Sequence, residues 1–222
     1  PAAAPPPRRE RRVRRGRLLA VVATVLVLLI AGIAAQRALA NATAPTSTTP
    51  LRQAIVKAAD SQLGYRTTPQ NTFCNRFSAY WGAGQDCGNG TSAEEWCADF
   101  AAWTWRQAGV AFSYGYGPGQ LNGGAISFYQ WALQNGTWHA VGGGYQPQPG
   151  DVAVYGVNGA ATWAAHVAVV TGHGLFTNAP NVVNGDGDET GFSVVESGTA
   201  ETRADTKGST GALAGYASPV GA

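Results

Sequence analysis

The sequence predicts an α+β domain in which N-terminal helices pack on a mostly antiparallel β-sheet. Three observations lead there. Apolar residues recur at helical spacing in two stretches between residues 51 and 109, the period changes to two after Pro147, and Gly/Asp-rich turns separate several of the later apolar runs.

The helices come first. Thr49 and Pro50 suit a helix start, Leu51, Ala54, Ile55 and Ala58 follow at 3.6 periodicity, and Gly64 can stop the helix after Ser61-Gln62-Leu63. A second helix is predicted from Ser92 to Gly109. Ser92 with Glu95 makes a capping-box pattern, Gly109 is a left-handed stop, and Trp96, Phe100 and Trp103 form a core-facing stripe. Cys97 then falls within about the first turn and a half, where unpaired N–H groups and the positive dipole end favour an anion such as a thiolate. Ser113 to Gly124, rich in Gly and Tyr, is irregular and suited to border a cleft. A short helix from Ala125 to Gln134 is predicted to pack through Ile126, Tyr129 and Leu133 and to end at Asn135-Gly136.

The strands follow. Val152 to Tyr155 and His166 to Thr171 read as adjacent antiparallel strands, with further strands at Asn181 to Asn184, Phe192 to Glu196 and Ala212 to Ala217.

Of the 222 residues, 45% are hydrophobic, enough for one good core. The net charge of +2 conceals two regions. Eight of the 15 basic residues precede residue 41 against one acid, leaving 7 basic and 12 acidic residues, a charge of −5, for the remainder. A mildly acidic body gives no electrostatic reason to bind nucleic acid. Leu18 to Ala35 is an unbroken run of apolar and small residues behind an arginine cluster and before Ala38-Leu39-Ala40. At about 1.5 Å per residue it spans about 27 Å, which suits either an export signal or a membrane anchor. Arginines on its amino side keep that end cytoplasmic and put the rest outside. The expected organisation is a basic, Pro-rich arm at 1–17, a signal h-region or transmembrane anchor at 18–36, a linker at 37–50 and one domain at 51–219.

Three cysteines in an exported chain leave one over after any disulfide. Cys74 and Cys87 lie in a Gly- and Asn-rich stretch suited to a disulfide-closed loop, for which chain entropy suggests roughly 3 kcal/mol. Cys97 remains as the free thiol. Strand alternation puts His166, Ala168 and Val170 on one face and Val167, Val169 and Thr171 on the other. If the His166 face packs on the cysteine helix, the imidazole reaches the sulfur, forming a thiolate–imidazolium pair with a depressed thiol pKa. Asn184 could hold the imidazole through its side-chain carbonyl, with Asp186 as the reserve candidate.

Metal chemistry is not expected. Asn184-Gly-Asp-Gly-Asp188-Glu189 gathers carboxylates but lacks the spacing of a calcium loop, and His139 and His173 have no Cys or carboxylate at zinc-ligand spacing and read as surface or turn residues.

Three segments together resemble a known family: Trp96-Cys97-Ala98-x-Phe100-x-x-Trp103, Pro147-x-Pro149-Gly150-Asp151-Val152, and Ala165-His166-Val167-Ala168-Val169-Val170. Their order and spacing are similar to the CHAP domain, the cysteine- and histidine-dependent amidohydrolase/peptidase family. Ala59-x-Ser61-Gln62-Leu63-Gly64 and Gly215-Tyr216-Ala217-x-Pro219 resemble its first helix and last strand, so the likeness runs from about 51 to 219. The resemblance implies a papain-like fold and hydrolysis of amide bonds in peptidoglycan, with Cys97 as nucleophile, His166 as general base then acid, and no cofactor. Many members carry Glu, one residue, then Asn at the third position, where this chain has Asn184-Gly185-Asp186. Asn184 aligns with the orienting residue. Oxyanion donors are expected from the Cys97 backbone N–H, with a side chain between Asn75 and Tyr80 as a further source. The related NlpC/P60 branch normally carries Asp-Cys-Ser/Thr and a second His, which are lacking here. The expected working form is an extracytoplasmic monomer, membrane-held if the N-terminal segment stays uncleaved. The reading from a different class is an inactive wall-binding module that uses Tyr114 to Leu121 as its surface.

Overall fold

A computed structural model describes residues 48–70, 72–83, 87–88, 94–174, 179–187, 194–200 and 211–222. All lie in the unit Ser47–Ala222. The arm, the apolar run and most of the linker fall outside the described residues, as do Ser92, Asp188 and Glu189. Among the described residues no helix is long and apolar enough to cross a membrane.

Four helices are described, α1 Pro50–Asp60, α2 Arg76–Trp81, α3 Cys97–Ala108 and α4 Ile126–Asn135. Six strands form one sheet, β1 Trp138–Ala140, β2 Val152–Tyr155, β3 His166–His173, β4 Pro180–Gly187, β5 Val194–Thr199 and β6 Leu213–Ala217. The order across the sheet is β1-β6-β2-β3-β4-β5, and every neighbouring pair is antiparallel. This is an α+β architecture with the helices on the sheet.

Period-two alternation divides the sheet residues between two clusters. Val152, Val154, Val167, Val169 and Val183 join the helices in the main core, whereas Ala153, Tyr155, Ala168, Val170 and Val182 form a second cluster on the other face. Each fully buried Val contributes about 2 kcal/mol relative to exposure. The central helix is α3. Ala98, Phe100, Ala101, Ala102 and Trp105 are all fully buried, so it is enclosed on nearly every side instead of presenting one stripe. Phe77 of α2 ties the aromatic cluster together, with ring centroids 5.5 Å from Trp96, 5.0 Å from Phe100 and 5.2 Å from Trp103.

Several expectations need correction. Glu94, Glu95 and Trp96 are not helical, and α3 starts at Cys97, so no local capping box opens it. Its start is fixed instead by a distant strand, described below. In α4 Ile126 and Tyr129 do pack on the core, partly buried, but Leu133 is exposed and the buried residues are Ser127, Phe128, Trp131 and Ala132. The apolar stripe is offset because Phe128 and Trp131 pack on Trp105 of α3. Inside the loop closed by the Cys74–Cys87 disulfide sits α2, capped by Asn75, whose Oδ1 accepts the N–H groups of Phe77 and Ser78, and stopped by left-handed Gly82. β1 is too short to show a period. His139 and His173 are strand residues: His139 stacks on Tyr145, and His173 Nε2 lies 3.0 Å from the Pro147 carbonyl.

Asp151, in the Pro-Gly-Asp segment before β2, explains how that segment joins helix to sheet. It is fully buried, and its carboxylate accepts from Arg52 of α1 at 2.7 Å, Ser218 at 2.8 Å, Tyr145 at 2.8 Å and the Gln148 N–H at 2.7 Å. Arg52 also donates to the Pro149 carbonyl, and the Trp105 indole to that of Gly150. The bonds from Arg52, Trp105 and Ser218 tie this segment to α1, α3 and the chain after β6.

The irregular stretch after α3 is docked by a second buried carboxylate. Asp99 accepts the Tyr114 hydroxyl, and the Tyr114 ring stacks on Trp81 with centroids 4.0 Å apart. Burial pushes the Asp99 carboxyl up to about 6, with nearby Glu94 adding to the rise, against hydrogen bonds from Ser78 and Tyr114 that lower it.

Two stability predictions follow from these carboxylates. Asp151→Ala strands the Arg52 side chain, 11% exposed, so urea unfolding should show a loss of about 3–5 kcal/mol, and a loss below about 1 kcal/mol would contradict the arrangement. For Asp99 the unfolded carboxyl ionises near 3.8 and the folded one at about 6. Ionisation is therefore easier in the unfolded chain, and stability falls as pH rises from about 4 to about 6, then levels. This costs about 3 kcal/mol. The stability of Asp99→Asn relative to the parent should therefore rise by about that amount from pH 4 to pH 7. Parallel stability curves would refute it.

Candidate active site

The site lies where β3, β4 and the start of α3 meet. Cys97 is the first residue of α3, 3% exposed, and the remaining cysteine once Cys74 and Cys87 are paired. At the first helical position its backbone N–H is one of those that the helix itself cannot satisfy. The register of β3 with β4 runs from His173–Pro180 to Val169–Val183. Beyond that pair the Val167 N–H hydrogen-bonds the Cys97 sulfur.

His166 opens β3 and is buried. Its Nε2 lies 2.9 Å from Asn184 Oδ1, and the Asn184 amide nitrogen donates to the Glu196 carbonyl of β5 at 2.8 Å. That second bond decides the chemistry of the first. Because Nδ2 is committed to a carbonyl, Oδ1 faces the ring as an acceptor, so Nε2 carries the proton and Nδ1 is the basic nitrogen of a neutral imidazole.

The route by which His166 enters the site differs from the strand-face expectation. Val167 and Val169 face α3, while Ala168 and Val170, in phase with His166, belong to the opposite cluster. The strand end, where the β3–β4 register has finished, does the work that a whole face was expected to do. Cys97 is thus brought against the residue next to His166, and His166 against Asn184.

Asp186 occupies a different place from Asn184. Its Oδ2 accepts the Trp96 N–H at 3.0 Å, directly before Cys97. The thiol also departs from expectation: its pKa is raised, not depressed. Burial is the main cause, followed by the carboxylate of Asp186, with smaller effects from Glu95 and Asp99; the Val167 N–H acts in the opposite sense.

Other candidates are otherwise engaged. Asn75 uses Oδ1 as the α2 cap and Nδ2 on the Phe73 carbonyl and the Ser78 hydroxyl. In the aromatic stretch Tyr114 is docked as described, whereas Tyr116 is 76% exposed. Among the described residues no cluster of three or more His, Cys, Asp or Glu is placed to hold a metal. The Val167 N–H and the Glu196 carbonyl left no mark in the sequence, because any residue carries a backbone.

Comparison with known proteins adds three findings. No curated protein sequence matches. The structure of NlpC1 from Trichomonas vaginalis is similar at 10% identity and a TM-score of 0.42, over 79% of this chain and 46% of that one, so the chain spans less than half its length. Residues 86–179 match the family model of the CHAP domain, a span that holds Cys97 and His166 and ends before Asn184. The segment carrying the thiol and the imidazole thus matches the CHAP domain, the cysteine- and histidine-dependent amidohydrolase/peptidase family that its motifs resemble.

Proposed function

We propose that residues 51–219 form a cysteine hydrolase that cleaves amide bonds in bacterial peptidoglycan. Cys97 is the nucleophile, His166 the general base and then acid, and Asn184 the group that orients the imidazole. The observation that carries this reading is the bond from His166 Nε2 to an Asn184 whose amide is itself held by the Glu196 carbonyl. The match of residues 86–179 to the CHAP domain supports it.

The chemistry runs from that tautomer. Nδ1 of His166 takes the Cys97 proton as the sulfur attacks the substrate carbonyl, so the anion forms only as it is consumed. The Cys97 backbone N–H, at the start of α3, is placed to stabilise the developing oxyanion. The imidazolium then protonates the leaving amine, giving a thioester on Cys97. Water, activated by the same nitrogen, hydrolyses it and restores the thiol. Asn184 keeps Nε2–H fixed throughout.

On this reading the domain works outside the cytoplasmic membrane. The arginine-flanked run from Leu18 to Ala35 and the Cys74–Cys87 disulfide support that location. It is either released or anchored, and acts as a monomer on the wall.

Release of soluble muropeptides from purified peptidoglycan tests the assignment. Cys97→Ala and His166→Ala should each lower the rate at least about 10³-fold, and Asn184→Ala by about 10²- to 10⁴-fold. Full lytic activity in Cys97→Ala would overturn it.

A further inference from the structure

β4 departs from regular pairing at the residues next to the site. Its register with β5 slips between Asn184 and Gly187, which places one extra residue on β4. Within that bulge Asp186 has φ 62°, a left-handed conformation that few residues other than Gly, Asn and Asp adopt. The flanking glycines permit a close approach. A Cβ on Gly185 would lie 2.6 Å from both Phe100 and Trp96, and one on Gly187 would lie 2.7 Å from Glu196. The bulge therefore presses the backbone of β4 against the first turn of α3 and turns the Asp186 carboxylate onto the Trp96 N–H at 3.0 Å. Trp96 is the N-cap residue of α3 and makes no side-chain cap of its own. A tertiary carboxylate thus occupies the helix start that a local capping box usually serves.

We propose that Asp186 is a positioning residue for Cys97 with two opposed effects: its carboxylate pins the start of α3, and its negative charge restrains the thiol from ionising. The proposal rests on the reading of Cys97 as the nucleophile. An amide could do the first job without the second, because an Asn side-chain carbonyl also accepts the Trp96 N–H and Asn tolerates a left-handed φ. The charge of the carboxylate accordingly adds to burial in keeping the resting thiol quiet. The charged groups acting on the sulfur are Asp186 from β4 and Glu95 and Asp99 from its own segment, while the neighbouring His166 of β3 bonds Asn184 and Glu196 of β5 lies against Gly187. Asp186 has the largest electrostatic effect among them on the thiol, second only to burial.

The test is alkylation of Cys97 by iodoacetamide as a function of pH, alongside thermal melting. With Cys74 and Cys87 paired, labelling reports one thiol. Asp186→Asn keeps the cap and removes the charge. Its alkylation profile should move to lower pH by about one unit, with labelling at neutral pH about tenfold faster and the melting temperature held within about 2 °C. Asp186→Gly accepts the same φ but removes cap and charge together. Its profile should also move down, and its melting temperature should fall by about 2–4 °C. Profiles in both variants that superimpose on the parent, or that move to higher pH, overturn the proposal. So does Asp186→Gly melting with the parent. Because alkylation needs no substrate, failure here is distinct from a failure to cleave peptidoglycan, which Cys97→Ala reads.

Discussion

The site depends on one hydrogen bond that crosses from strand to helix, from the Trp96 N–H to the Asp186 carboxylate. It fixes where α3 begins, and Cys97 is the first residue after that point. The rest of the architecture keeps this junction in place. Trp96 and Phe100 pack on Phe77 of α2, Trp105 anchors the far end of the helix to the Gly150 carbonyl, and Gly185 lets β4 come close enough for the carboxylate to reach. A nucleophile must sit within a fraction of an ångström of its working position. A helix that starts at a tertiary contact is tied to the sheet that carries the imidazole.

The same contact sets a tension. A carboxylate at a helix start favours the fold, yet it disfavours a second anion beside it. The thiol is 3% exposed, and burial together with the Asp186 carboxylate disfavours its ionisation. His166 is held in one tautomer by Asn184 and the Glu196 carbonyl. On the proposed mechanism the thiol gives up its proton only as a substrate carbonyl arrives. A thiol protected in this way is also slow to oxidise, which fits an oxidising compartment.

Much of the fold was legible because it rests on local physics. The period-two runs at Val152 to Tyr155 and at His166 onward are strands, Thr49 and Pro50 open α1, and left-handed glycines end α3 and α4 at Gly109 and Gly136. What escaped depends on distant partners. The start of α3 was misread because its cap comes from β4, ninety residues away in sequence. Alternation did not reveal the His166 contact because it is made at the strand end, beyond the last β3–β4 pair, and not by the face that Ala168 and Val170 share. The helix start and a paired imidazole predict an acidic thiol; burial and three carboxylates from two segments reverse that, and no motif encodes them. Asn75 did carry a signal for α2, as a capping residue with Gly82 following, but a disulfide loop was the simpler reading of the same stretch.

If Cys97 is the nucleophile, hydrolysis passes through a thioester, which hydroxylamine can intercept. Cleavage of a defined peptidoglycan stem peptide would be run with increasing hydroxylamine, and the new carboxyl ends analysed by mass spectrometry. Hydroxamate should replace free acid in proportion to hydroxylamine, because the thioester is open to either nucleophile. Free acid as the sole product at every hydroxylamine concentration would contradict it.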